Sequence, residues 1–135
     1  MTIENTYEEI LKKLVNQTKI YGASLNTIDG LPVISFFKND NNVEEAMVSA
    51  LSSAMTMQSE KVMAEFNCGD LDNCRIQGEN GQVLFFKINS LVLVVLAPKN
   101  ISQGILHLGI KHCIREIQKL SLWSYFGSDL HIGNC

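Results

Sequence analysis

The run Leu91-Val92-Leu93-Val94-Val95-Leu96-Ala97 is apolar at every position, and it constrains the fold more than any other segment. A strand with one wet face alternates apolar and polar residues, whereas an unbroken apolar run buries both faces. The run is too short for a membrane span, which takes about 20 residues as a helix. It therefore reads as an interior strand. Val83-Leu84-Phe85-Phe86 implies the same of a neighbouring strand. A sheet containing these two segments needs helices on both of its faces.

The rest of the chain supplies those helices and the remaining strands. Tyr7, Ile10, Leu11 and Leu14 recur at spacings of three and four, predicting an amphipathic first helix with Thr6 or Asn5 as its N-cap. After Gly22, two apolar runs, Ile20 to Ile28 and Leu31 to Phe37, flank Asp29-Gly30, a dipeptide that suits a tight hairpin turn. Pro32 cannot donate to a strand ladder, so the second run begins at Pro32 or lies at a sheet edge. The polar cluster Lys38 to Asn42 precedes a long helix from about residue 43 to 66, with Asn42 or Asn41 as cap and Glu44 and Glu45 favouring its start. Leu71 to Gln77, Gln82 to Ile88 and Leu91 to Ala97, joined by turns at Asn80-Gly81 and Asn89-Ser90, read as a three-stranded meander. Pro98 closes it, and Ser102 or Asn100 caps a final helix running at least to Leu120. Residues 4 to 120 are expected to form one domain, with 121 to 135 an aromatic extension holding Leu122, Trp123, Tyr125 and Phe126.

Viewed down its axis, the long middle helix carries more apolar surface than one sheet can cover. Ala46, Met57, Ala50, Val43, Ala54, Met47, Leu51, Val62, Met55, Val48 and Phe66 fill an arc of about 200°, roughly twice what a one-sided surface helix needs. Large apolar patches of this kind mark interfaces. The small Ala50 and Ala54 let a second helix approach closely, and Met47, Met55, Met57 and Met63 add deformable surface. The opposite arc holds Glu45, Ser49, Ser52, Ser53, Thr56, Ser59 and Glu60. These short side chains fit either an ordinary exposed face or a face that receives a closely docked partner.

Composition excludes several function classes. With 14 acidic against 11 basic residues the net charge is −3, so no positive field draws in nucleic acid or acidic membranes. No membrane insertion is expected, and the start of the chain lacks a signal-peptide pattern, so a cytoplasmic protein is expected. Cys68, Cys74, Cys113 and Cys135 form no C-x-x-C pair, which argues against structural zinc and for free thiols acting as small buried hydrophobes, Cys135 being the exposed exception. Gly104 and Gly109 lie in a helix and no phosphate-loop pattern occurs, so nucleotide hydrolysis by the chain itself is not expected. His107 and His112 stand about 140° apart on their helix and cannot share a metal as an i, i+4 pair does. His131 has no evident partner. No cofactor, metal or catalytic residue is expected.

The order helix, strand, strand, long helix, three strands, helix resembles that of the roadblock family of dynein light chain and GTPase-regulator domains. The resemblance is carried by Gly22-Ala23-Ser24-Leu25 leading to Asp29-Gly30-Leu31-Pro32-Val33, by Ile76 to Gln82 with its turn Glu79-Asn80-Gly81, by the apolar strand ending in Ala97-Pro98, and by Asn100 to Leu106. It covers about residues 4 to 120. The chain departs from the family's pattern after Leu120. The resemblance implies an α+β fold, a five-stranded antiparallel sheet of order 2-1-5-4-3 with the first and last helices on one face and the middle helix on the other. It also implies a homodimer, formed by middle helices side by side and third strands joined edge to edge, with Arg75, Ile76 and Gln77 on the shared edge. Met47, Ala50, Ala54 and Met57 would complete that interface, and the resemblance gives the middle helix three sides: Leu51, Met55, Val62 and Phe66 toward the sheet, Ala50, Ala54 and Met57 toward a twin helix, and the Ser and Thr arc outward. The implied partner is a small Ras-like GTPase, met through Ser49, Ser52, Ser53, Thr56 and Glu60. A monomeric small-molecule or redox sensor of similar architecture is the alternative.

Overall fold

The computed structural model describes the backbone of residues 3–38 and 43–133 and the side chains of residues 6–38 and 43–121. Asn41, Asn42 and Cys135, and the side chains of Leu122, Trp123, Tyr125, Phe126 and His131, lie outside the described residues. The elements follow the expected order: α1 (Ile3–Thr18), β1 (Gly22–Thr27), β2 (Pro32–Phe37), α2 (Glu45–Glu65), β3 (Asn73–Gln77), β4 (Gln82–Ile88), β5 (Leu91–Ala97) and α3 (Gln103–Gly133). They build a five-stranded antiparallel sheet of order β2-β1-β5-β4-β3. The unbroken apolar run is thus its central strand, paired with β1 on one side and β4 on the other.

Alternation along β5 assigns its two faces. Leu93 and Val95 join Leu11, Leu14, Val15, Leu106, Ile110 and Ile117 in a core between the sheet and the pair α1 and α3. Val92 and Val94 point the other way, into a smaller cluster with Phe85 that Val48 and Met55 of α2 partly cover. Two helices cover most of one face, and one helix lies on the other.

Turn chemistry behaves as the residue types require. Gly30 adopts a φ of 100° in the Asp29-Gly30 turn, a left-handed conformation that costs a glycine little. Asn89 takes a φ of 55° between β4 and β5, a conformation asparagine tolerates better than most residues. Pro32 opens β2, an edge strand, where its missing N–H leaves no ladder bond unmade. Several boundaries differ from the sequence reading. The first helix begins at Ile3, which places Asn5 and Thr6 inside it. Glu44 occupies the N-cap of α2 without a side-chain capping bond; instead the Ser35 hydroxyl on β2 donates to the Glu45 carboxylate and ties down the first turn. At the start of α3 the Ile105 N–H donates to Ser102 Oγ at 3.5 Å, and the helix continues without a break through the aromatic segment to Gly133.

The crossing of α1 and α3 depends on a missing side chain. A Cβ on Gly109 would sit 2.2 Å from Thr18 Cγ2, and Thr18 is held in place by the bond from its hydroxyl to the Leu14 carbonyl at 2.6 Å. Gly109→Ala is therefore expected to lower stability in urea unfolding by about 1–2 kcal/mol, since the overpacking penalty exceeds the helix-propensity gain. In a Thr18→Ser background, which deletes the opposing methyl and keeps the hydroxyl, the same change is expected to stabilise the protein by up to about 1 kcal/mol. An unchanged sign in the two backgrounds would refute the close crossing.

Candidate functional site

The middle helix is seated the opposite way round from the sequence expectation. Ser49, Ser52, Ser53 and Thr56 are its buried residues, whereas Phe66, Leu51, Met57, Met47 and Val62 are exposed at 72%, 55%, 53%, 53% and 49%. The reason lies in β1. On the face beneath α2 this strand presents Ser24 and Asn26, both buried, with the Ser24 hydroxyl donating to Asn26 Oδ1 at 3.1 Å. A polar strand surface gives apolar side chains no advantage there, and small hydroxyl residues let the helix approach closely. The hydroxyls satisfy themselves on backbone carbonyls: Ser49 on Ala46 at 3.0 Å, Ser52 on Ser49 at 3.0 Å, and Ser53 across to Ile28 at 2.8 Å. Buried polar groups are stable when bonded in this way. Thr56 Oγ1 and Asn26 Nδ2 remain buried without a partner.

The assignment of Ser49, Ser52, Ser53 and Thr56 to an outward partner-binding arc is thereby corrected, because all four face the chain's own sheet. Glu60, one turn beyond Thr56 in the same arc, is half-buried and pairs with Lys87 of β4 at 2.6 Å. Leu51, Val62 and Phe66, expected against the sheet, stand exposed instead. Met55 alone of that group packs onto the Phe85 cluster, and only partly.

The exposed apolar residues do not end at the helix. A cleft of about 300 Å³ lies between α2 and the sheet, lined without any polar surface by residues that include Val48, Leu51, Met55, Ile76, Val83 and Val94. Ile76 brings β3 into this surface. In its pairing with β4, Cys74 and Ile76 oppose Phe85 and Val83 on the α2 face, while Arg75 opposes Leu84 on the other. β3 is also the outer strand of the sheet, so one side of its backbone has no strand partner. The helix flank, the cleft and the open edge form one continuous feature. Met47, Ala50, Ala54 and Met57 are exposed on α2, and Arg75, Ile76 and Gln77 are exposed on β3.

The remaining candidate groups divide between the two sides of α3. Cys113 is buried between α1 and α3, and burial together with the nearby Glu116 pushes its thiol up to about 12. It stays protonated near neutrality and is a poor nucleophile. His112 borders the same inter-helix groove, whereas His107 lies on the side of α3 that faces β3. Cys68 is exposed, not a buried hydrophobe as expected. Among the described residues no three His, Cys, Asp or Glu side chains gather as a metal site requires, and no helix is long and apolar enough to cross a membrane.

The model of the Roadblock/LC7 domain matches residues 6–97, from α1 to the end of the central strand. The chain belongs to the Roadblock/LC7 family. An uncharacterized protein of Methanocaldococcus jannaschii is 26% identical over 113 residues, which span 84% of this chain and 97% of that protein. Among solved structures, Myxococcus xanthus MglB superposes with a TM-score of 0.81 at 17% identity, covering 87% of this chain and 88% of that one. An MglB described as having a tetrameric arrangement gives 0.82 at 12% identity, covering 89% and 90%. At these identities the likeness is one of fold. It extends past the matched family segment into α3.

The serine-down seating of α2 in this Roadblock/LC7 chain has a direct thermodynamic signature. Ser53→Ala is expected to cost about 1 kcal/mol through loss of the bond to Ile28, whereas the near-isosteric Thr56→Val, which removes an unpartnered buried hydroxyl, is expected to be neutral or stabilising by up to about 1 kcal/mol. Urea unfolding of the two variants measures both values. If the arc faced water, neither substitution would move the midpoint appreciably.

Proposed function

We propose that this Roadblock/LC7 chain is a non-catalytic homodimeric platform that binds a small Ras-like GTPase. The observation that supports the reading best is the inverted middle helix, which spends small polar residues on its own sheet and keeps large apolar ones outside. A monomer gains nothing by leaving Phe66, Leu51 and Val62 in water beside an apolar cleft. Contiguous apolar patches of this kind belong to interfaces. An open strand edge is a separate liability, since it templates unwanted pairing.

A second copy removes both problems together. A two-fold axis beside β3 pairs that strand with its counterpart and sets the exposed faces of two α2 helices against each other, a self-complementary arrangement typical of closed dimers. The contacting surface comprises Met47, Ala50, Ala54 and Met57 with Arg75, Ile76 and Gln77. The structure adds Leu51, Val62 and Phe66 to that proposal, because Leu51 shares the cleft with Ile76 and the other two follow it along the same flank of the helix. Leu51→Glu and Ala54→Glu are each expected to yield folded monomer in sedimentation, with the dimer dissociation constant raised about a hundredfold or more, or about 3 kcal/mol. A wild-type chain that stays monomeric at working concentrations would overturn the dimer.

The partner assignment is supported by family membership and by the exposed apolar flank of α2, which offers area for a protein. Because the Ser and Thr arc is buried, a GTPase must meet the outward parts of the paired α2 helices. Expected is retention of a Ras-like GTPase of the same organism on the immobilised chain, stronger when the GTPase holds a GTP analogue than when it holds GDP. Retention should persist in Cys68→Ser and His112→Ala. Equal failure with both nucleotides would remove the GTPase from the proposal while leaving the dimer standing.

A further inference from the structure

On the sheet face opposite α2, the cover provided by α1 and α3 stops short of β3. This leaves an open groove of about 310 Å³ between α3 and β3. Its walls have a consistent chemistry. His107 and Lys111 stand one turn apart on α3, and Arg75 faces them from β3, where its pairing with Leu84 turns it to this side. All three are exposed, and among the described residues neither Arg75 nor Lys111 is engaged in an ion pair. Phe86 and Ile114, both half-buried, offer apolar surface in the groove. The one carboxylate in the lining, Asp72, accepts a bond from the amide of the adjacent Asn73 at 3.3 Å. In a chain of net charge −3, unpaired cations over an apolar strip are a local reversal of sign.

We propose that this groove docks an acidic amphipathic segment of a partner protein, with its apolar side chains on Phe86 and Ile114 and its carboxylates on Arg75, His107 and Lys111. Charge complementarity selects the sign of the partner. The form of the groove selects a polypeptide: it lies open along three turns of α3, whereas small-ligand sites enclose most of their ligand. An amphipathic helix laid in such a groove brings its own backbone hydrogen bonds and needs only side-chain contacts. The groove lies on the other side of the sheet from α2 and its exposed face; Arg75 belongs to both proposals, its backbone to the β3 edge and its side chain to the groove.

The test uses the full chain, isotope-labelled for amide shift mapping, and a short fluorescent peptide of Leu, Ala and Glu with its leucines at helical spacing. The expected result is saturable binding with shifts centred on β3 and the first half of α3, weakened by added salt. Lys111→Glu is expected to weaken it roughly tenfold or more. Lys111→Arg retains it, as does Lys119→Glu, a charge reversal farther along the same helix. Sedimentation of each variant verifies that assembly is unaltered. Failure of the peptide to bind would overturn the proposal. So would equal binding of its Lys-for-Glu counterpart, shifts confined to the α2 face, or preference for phosphatidylglycerol vesicles over the peptide.

Discussion

The seating of α2 on β1 is the contact on which the external surface of this protein depends. Helices ordinarily turn their apolar stripe to the sheet, because each buried side chain contributes about 1.5–3 kcal/mol. Here Ser24 and Asn26 make the receiving strand polar, and Ser49, Ser52, Ser53 and Thr56 come down to meet it. Hydroxyls bonded to carbonyls make this contact tolerable, yet it contributes less than an apolar seam of equal area would. The apolar residues released from the sheet stand exposed on the outer side of α2. A chain with Leu and Met beneath α2 would make a more stable monomer and have nothing left to offer a partner.

That contact also explains which parts of the fold were legible in the sequence. The central strand, the hairpin at Asp29-Gly30, the edge position of Pro32 and the element order all follow from local chemistry: periodicity, turn residues and the missing N–H of proline. These effects act within a few residues and can be read along a line. The rotation of α2 is different in kind. It is decided by what lies across from the helix, and the polar pair Ser24 and Asn26 sits in a segment that otherwise reads as an apolar strand. Weighing those two residues as the floor of the helix, given the expected sheet order, was the one available signal. Without it the ordinary rule, apolar inward, assigns Leu51, Val62 and Phe66 to the wrong side.

The same asymmetry separates the residues expected at a surface that are exposed from those that are buried. Met47, Ala50, Ala54 and Met57 stand out by an excess of apolar surface, a property that holds whichever way the helix turns. Ser49, Ser52, Ser53 and Thr56 are only the remainder of the wheel, and their side depends on which face the strand beneath α2 receives. The groove between α3 and β3 was not visible at all. Arg75, His107 and Lys111 are far apart in sequence and unremarkable singly, and only the register of β3 on β4 brings them to one side.

β3 is where these features meet. Along five residues it alternates Cys74 and Ile76 on the α2 face with Asn73, Arg75 and Gln77 on the α3 face. A strand with one apolar and one polar face at the edge of a sheet has two independent partner surfaces and one open ladder of backbone groups. The apolar face extends the exposed flank of α2, and the polar face borders a cationic groove. Covering the first does not fill the second, because the pleat places them on opposite sides of the sheet. A short edge strand can thereby serve an assembly contact and a docking contact together, and any substitution that slipped its register by one residue would exchange the two faces and abolish both.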